Sequence, residues 1–426
     1  MLWGVATSAY QIEGAAENDW TDWEARGRLK EPGVRCGLAT GHRERWRADL
    51  ALLPTIGANA YRYSIEWSRI EPKRGEFDEA ALELESQRAD YLAGLGIEPV
   101  VTLNHYTHPR WFLEDGGWEH PQSVRWFGRL AERVGAALPS VRFWVTLNEP
   151  IVFVLGGFLG GVIPPGRKSF AAAAKALEHL LRGHAEAAAV LTRSRADARV
   201  GIAHNMLDFA ADRSDSTLDR RLAEAGEALY NRALVEAVAT GRMTWSFPGE
   251  GRTDFRIADL VGASSYLGVN YYSRVHLRFR GLLGPVGEFF YRDPRGRGLT
   301  DMGWEIHPEG FDRVLKSAAE SKLPILVTEN GIATGDDRVR CAFLHEHVLI
   351  LNHQLSRGAP IEGYFYWSLL DNFEWLEGFR PRFGLFGVDY ATLARRRRPS
   401  ADLFASLGRT LASSGQGDRR GGEAPR

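Results

Sequence analysis

A single (β/α)8 barrel of the TIM type is the fold class this sequence predicts, and three observations predict it. Short strand-like apolar runs alternate with longer helical patterns from end to end, which favours repeated β-α units on a parallel sheet over an all-β or all-α fold. Those runs number eight, and eight strands that each feed a helix close into a barrel without sheet edges. No composition shift or linker divides the 426 residues, so 1–412 reads as one domain.

In chain order the expected strands are 2–8, 59–66 (NAYRYSIE), 98–103 (EPVVTL), 141–147 (VRFWVTL), 200–205 (VGIAHN), 266–270 (YLGVN), 323–328 (LPILVT) and 362–368. Between them, 45–55, 122–138, 171–194 and 338–356 carry apolar residues at helical spacing. The segment GGFLGG at 156–161 does not fit a dinucleotide-binding glycine pattern, no strand leads into it, and it reads as a loop. Residues 413–426 are polar, Gly-rich and without apolar periodicity, so a disordered tail is expected there. The run Arg395 to Arg398 reads as a solvated surface rather than an anion-binding patch.

Composition narrows the function classes. With 44% hydrophobic residues the chain can bury a large core, and 53 basic against 54 acidic residues leave no field that would steer it to nucleic acid or an anionic membrane. A neutral small molecule is the expected partner, and assembly with copies of itself stays open. Two cysteines, Cys36 and Cys341, are too few for a disulfide framework and do not fall at metal-ligand spacing. Free thiols in a reducing compartment are expected. Because the N-terminus MLWGVATSAY has no charged leader pattern and no run approaches a membrane span, a cytoplasmic setting is expected too. The pair His345 and His347 lies two apart on a helical stretch, where side chains diverge, so neither a metal nor any other cofactor is expected. Thirteen Trp is a heavy load, several of them in polar company, and such rings suit the faces of pyranose sugars.

In such a barrel the site lies where the strands end, so polar residues just after each apolar run matter most. Gln11 and Glu13 follow the first strand; Arg62 lies on the second, which ends near Glu66 and Trp67. The third leads to Asn104, His105 and Tyr106, and the fourth to Asn148, Glu149 and Pro150. Asn270, Tyr271 and Tyr272 end the sixth, Glu329, Asn330 and Gly331 the seventh. Trp367, Asp371, Asn372, Glu374 and Trp375 follow on the eighth. Two of these ends, TLNEP and VTENG, place a glutamate beside an asparagine on separate strands. Cleaving a glycosidic bond needs that arrangement: one carboxylic acid to protonate the departing oxygen and one carboxylate to attack or to activate water. Either glutamate alone would read as a strand end bonded to a loop; two, with His, Arg, Tyr and Trp on the same rim, point to carboxylate chemistry.

Seven segments, LWGVATSAYQIEGA, YRYSIEWSRIEP, TLNHYTHP, TLNEP, LGVNYYS, VTENG and WSLLDNFEWLEGFRPRFGLFGVDY, occur in an order that resembles glycoside hydrolase family 1, the β-glucosidase and β-galactosidase family. The resemblance runs nearly the whole chain. It implies a retaining β-glycosidase acting on terminal β-D-glycosyl residues, glucosides before galactosides or fucosides. Glu329 is then the nucleophile, kept ionised by Arg62 and Tyr272, and Glu149 the acid/base, kept protonated by the charge of Glu329 until the glycosyl-enzyme forms. Asn148 would hold the sugar 2-hydroxyl. Gln11, His105, Glu374 and Trp375 would bond the outer hydroxyls and Trp367 would form the platform under the ring, unless it is simply a buried strand residue. Tyr106, Asn270, Trp304 and Phe383 complete the implied substrate-binding set.

Departures from the family pattern carry information as well. Phospho-sugar members place serine where Glu374 stands, and a carboxylate would repel phosphate, so an unphosphorylated sugar is implied. Thioglucosidase relatives have Gln in place of Glu149, so O-glycosides are implied. Ser265 stands where Asp is usual and Tyr106 where Trp is usual, which puts fine sugar preference in doubt. Met1 stands where an apolar residue of the first strand is usual, which is expected to weaken that strand. Two competing readings remain: transglycosylation by the same double displacement, and a sugar-binding pseudoenzyme, which keeping both carboxylates argues against.

Overall fold

The computed structural model describes residues 1–14, 16–247, 250–281 and 287–417. Its centre is a closed parallel barrel of β1 (Leu2–Ala6), β2 (Ala60–Ser64), β3 (Glu98–Asn104), β4 (Phe143–Asn148), β5 (Arg199–Ala211), β6 (Tyr266–Phe279), β7 (Ile325–Asn330) and β8 (Ile361–Trp367). Each strand pairs with the next, and β8 returns to β1 with Leu2 opposite Gly363 and Ala6 opposite Trp367. Helices cover the outer face, so the strands are buried on both sides, and every residue of β2, β4 and β7 is buried. That double burial explains why these strands read as continuous apolar runs.

Inside the barrel, small residues make room for large ones. Ala6, Ala60 and Ala203 sit among Phe143, Tyr266 and Phe365. A Cβ on Gly4 would come within 2.4 Å of the Ala60 carbonyl oxygen, so only glycine allows β1 its approach to β2. Outside, the helix Phe170–Ser194 buries Ala172, Ala173, Ala176, Leu177, Leu180 and Leu181, the stripe that a 3.6-residue period produces. Ser169 caps it by accepting the Ala172 N–H, and Asp78 and Asp336 cap the helices Glu79–Gly94 and Asp337–Ser356 in the same way.

Several expectations are corrected. β5 and β6 run well past their predicted ends, pairing from Asp208 opposite Arg274 to Ala211 opposite Leu277, and Gly287–Phe290 adds an antiparallel strand to β6. Beyond the rim these strands mix polar and apolar residues, a weaker signal than a buried run. The hairpin Arg242–Phe247 and Gly251–Arg256 was not expected; alternate residues of its second strand are exposed. GGFLGG is no loop: Leu155–Gly160 forms a π-helical turn, and a Cβ on Gly157 would stand 2.6 Å from the Pro164 carbonyl oxygen. The terminal helix Pro399–Gly417 continues into the expected tail, whose remainder, 418–426, lies outside the described residues. The arginine run is not merely solvated. Arg395–Arg397 pairs with Phe386–Val388, while Arg395 binds Asp49 and Arg398 binds Asp371, both carboxylates buried. Finally, β1 is paired with β8 along its whole length and with β2 from Gly4 to Ala6, so the expected weakening is not seen in its pairing.

Cys36 and Cys341 are free thiols. His347 is buried and bonds the Phe343 carbonyl while His345 is exposed, as divergent helix positions require. Among the described residues no helix is long and apolar enough to cross a membrane. Ser265 lies at the N-terminal end of the barrel, where its hydroxyl accepts the Val200 N–H at 2.9 Å, away from the pocket described next.

Candidate active site

A cavity of about 330 Å³ opens at the C-terminal ends of the strands. Gln11, His105, Tyr106, Asn148, Glu149, Tyr272, Trp304, Glu329, Trp367, Glu374, Trp375 and Phe383 line it. Arg62 and Asn270 do not; both are buried behind the wall and bond its carboxylates.

Glu329 ends β7. Arg62 Nη1 donates to its Oε1 at 2.7 Å and the Tyr272 hydroxyl donates to its Oε2 at 2.5 Å. The same guanidinium is fixed by Thr102 Oγ1 at 3.1 Å, the Thr328 carbonyl at 3.1 Å and Asn148 Oδ1 at 2.6 Å. Burial nevertheless pushes the Glu329 carboxyl up to about 7; Arg62 and the Tyr272 hydrogen bond pull it down, and the charge of Glu149 pushes it further up. Both expected contacts exist and favour the ionised form of Glu329, acting against the desolvation that raises it.

Glu149 ends β4 in the left-handed region, with φ of 47°, and Pro150 behind it opens the helix Pro150–Val154. Its N–H still reaches the Ala203 carbonyl at 2.7 Å, so the ladder runs up to the residue that turns away from it. Oε1 accepts from Asn270 Nδ2 at 2.8 Å and Asn205 Nδ2 at 3.1 Å, and Oε2 accepts from the Tyr106 hydroxyl. Among the described residues no cation donates to this carboxyl. Tyr106 and Trp375 also hold positive φ, 72° and 49°. For residues with a Cβ that conformation costs about 1 to 2 kcal/mol, and strain of this kind gathers where side chains must be aimed.

Around the pair stands a set of groups suited to a polyhydroxylated ring. His105 Nε2 faces the Asn148 amide at 3.2 Å, burial holds the imidazole well below its ordinary range, and Nδ1 has no protein partner. A neutral imidazole that accepts at Nε2 carries its proton on Nδ1, leaving one buried donor for a ligand. Gln11 Nε2 donates to Asn372 Oδ1 and to Glu374 Oε2, each at 3.1 Å. Burial and the charges of Glu329 and Glu149 push Glu374 up to about 8. Among the described residues no Lys or Arg lines the cavity. Trp367 is buried and also lines the cavity, stacked on His105 with centroids 5.9 Å apart. Trp304, Tyr272 and Phe383 form a second aromatic wall.

Other polar strand ends turn out to clamp loops. Glu13 binds Arg88, Glu66 accepts from Asn18, Ser68 and Thr107, Tyr271 donates to the His307 carbonyl, and Asp371 binds Arg398. Sequence reasoning missed Trp20, Asn205, Tyr230, Tyr291 and Glu377 in the cavity wall. Asn205 follows an apolar run on β5, so the strand-end rule could have found it. Tyr230 could not be found that way, since it lies on the π-helical turn Glu227–Arg232.

An eight-stranded barrel with two buried glutamates in an aromatic-walled cavity is the arrangement that carboxylate-based cleavage of a glycosidic bond requires. Similarity then specifies it further. The sequence profile of glycosyl hydrolase family 1 matches residues 1–411. Beta-glucosidase A of Thermotoga maritima is 34% identical over 439 aligned positions that cover 95% of this chain and 96% of that one. A beta-glycosidase from Pyrococcus horikoshii superimposes with a TM-score of 0.89 at 37% identity, covering 96% and 93% of the two chains. A beta-glucosidase from Thermotoga maritima in complex with glucoimidazole does so with a TM-score of 0.87 at 31% identity, covering 96% and 97%. The chain belongs to glycosyl hydrolase family 1 and is an O-glycoside hydrolase.

Proposed function

We propose that this enzyme is a retaining β-glucosidase that removes terminal, unphosphorylated β-D-glucosyl residues, with Glu329 as nucleophile and Glu149 as acid/base. The observation that carries this reading is the unequal setting of the two glutamates in one cavity. Glu329 faces a guanidinium that stabilises negative charge, whereas the donors to Glu149 among the described residues, Asn205, Asn270 and Tyr106, are neutral. Attack by Glu329 on the anomeric carbon forms a glycosyl ester as Glu149 protonates the departing oxygen. Water, deprotonated by Glu149, then attacks the ester from the opposite side, and two inversions give retention. Asn148, held by Arg62, is placed to bond the 2-hydroxyl, and His105 Nδ1, Gln11 and Glu374 to bond the outer hydroxyls. The glucoimidazole bound by the Thermotoga relative and the lack of a cation in the wall both favour a neutral glucosyl ring. Its free thiols suit a reducing, cytoplasmic setting.

NMR of the sugar first released from an aryl β-glucoside tests the stereochemistry, β-glucose being expected. Glu149→Ala should retain activity on activated substrates and yield β-glucosyl azide with azide; an α-azide from this variant would reverse the two roles. Galactosides and fucosides in the same panel rank the terminal sugar.

A further inference from the structure

Which oxygen of Glu149 carries the proton is decided by its neighbours. Both donors to Oε1 are amide N–H groups. Asn148 Oδ1 accepts from Arg62, a donor-only group, and also accepts from Asn270 Nδ2 at 3.3 Å, which turns the Asn270 NH2 toward Glu149; Tyr230 donates to Asn205 Oδ1 at 2.6 Å. An NH2 group cannot accept a proton's hydrogen bond, so Oε1 has its lone pairs occupied by donors only. Oε2 meets one donor, the Tyr106 hydroxyl, and keeps a lone pair free. The Tyr106 ring is locked in place: buried, stacked near Phe153 at 6.3 Å, edge-on to Trp375 at 5.3 Å and to His105 at 5.4 Å.

We propose that Tyr106 is a positioning residue for Glu149: its hydroxyl confines the exchanging proton to Oε2 and stabilises Oε2 as that proton leaves. The proposal rests on the acid/base role given to Glu149 above. In the first step the proton passes from Oε2 to the glycosidic oxygen, the electron pair of the O–H bond stays on Oε2, and the phenol hydrogen bond becomes charge-assisted. In the second step Oε2 takes a proton from water and the same bond relaxes. Tyr106 thus makes Glu149 a stronger acid in the step that needs one, without a cation that would hold it permanently ionised.

The other groups facing Glu149 are Glu329 on β7, Tyr272 and Asn270 on β6, Asn205 on β5, Tyr230, Glu374 across the cavity, and Arg62 and His105 beside Asn148. Tyr106→Phe keeps all of them and the packing of the ring. In the full chain, with aryl β-glycosides of the sugar cleaved best, it should move the alkaline limb of kcat/KM up by about one pH unit, because loss of a donor disfavours the carboxylate. The acidic limb should stay. Hydrolysis of a phenyl glycoside, whose leaving group needs protonation, should fall about tenfold while a 2,4-dinitrophenyl glycoside changes less than about twofold. In a Glu149→Gln background Tyr106→Phe should have no further effect. Placing 3-fluorotyrosine at this position, a stronger donor, should move the alkaline limb the other way and serves if the phenylalanine variant folds poorly. An unmoved alkaline limb, equal losses on both leaving groups, or the same loss in the Glu149→Gln background would overturn the proposal. Undiminished phenyl glycoside hydrolysis by Glu149→Gln alone would instead remove the acid/base role on which it rests.

Discussion

Two parts of one cavity wall treat a buried glutamate in different ways. At the end of β7, Glu329 is met by the guanidinium of Arg62 and the phenol of Tyr272; at the end of β4, Glu149 is met by two amides and the phenol of Tyr106. The difference teaches that burial alone does not assign a role. Burial drives a carboxyl toward its neutral form, a nearby cation opposes that, and neutral donors adjust the balance without fixing it. Under the proposed roles, the group that must be negative to attack sits with the cation, and the group that must gain and lose a proton sits with neutral donors.

The sharpest way to break this comparison is to exchange the carboxylates for amides. Glu329→Gln should cost kcat/KM a factor on the order of 10^4 or more on every glycoside, since no group remains to form the ester. Glu149→Gln should cost about 10^2 to 10^4, and only where the leaving group needs protonation. Steady-state rates on phenyl and dinitrophenyl glycosides separate the two.

Removing the cation comes next. Arg62→Met should lower kcat/KM at pH 6 by about 10^2 or more, because Glu329 loses its charge partner and Asn148 its anchor. In the unaltered enzyme kcat/KM should fall about tenfold per unit below pH 7, where Glu329, pushed up to about 7, takes on a proton. In Arg62→Met that limb should lie at higher pH. A pH profile in which it does not move would show that Arg62 leaves the acidity of Glu329 unaffected.

Smaller effects report on the frame around the pair. A Cβ on Gly331, two residues past Glu329, would fall 1.8 Å from the Trp367 carbonyl oxygen, so Gly331→Ala should force β7 and β8 apart at the rim. About 1 to 3 kcal/mol of stability should be lost, read by thermal unfolding. Glu374→Gln should act with the opposite sign. With its carboxyl raised from 4.5 to about 8, the folded protein binds a proton that the unfolded chain releases, so this group weakens the fold as pH rises from about 4.5 to 8. A neutral glutamine should therefore raise Tm at pH 8 relative to the native enzyme and leave the difference near zero at pH 4.5.

Much of the frame was legible because the signals are local. All eight barrel strands were found, six of them within a few residues at both ends, since strands buried on both faces appear as apolar runs, and the helices 171–194 and 338–356 were found from their periodicity. The motifs TLNEP and VTENG placed both glutamates on strand ends. What was not legible depends on partners distant in the chain. The outer halves of β5 and β6 are strands chiefly because they pair with each other, and the arginines 395 and 398 are held by carboxylates that no local pattern points to.

By itself, then, the sequence determined the barrel, the place of its site and the two carboxylates, because strand and helix periods and strand-end motifs are written in consecutive residues. Only the tertiary structure decided which groups surround each carboxylate. Arg62 reaches Glu329 across 267 residues and Tyr106 reaches Glu149 across 43. The desolvation that lifts Glu329 to about 7 is summed over every element that encloses it. Hydrogen-bond partners and burial are properties of the closed barrel, so acidity, unlike the fold, had to wait for it.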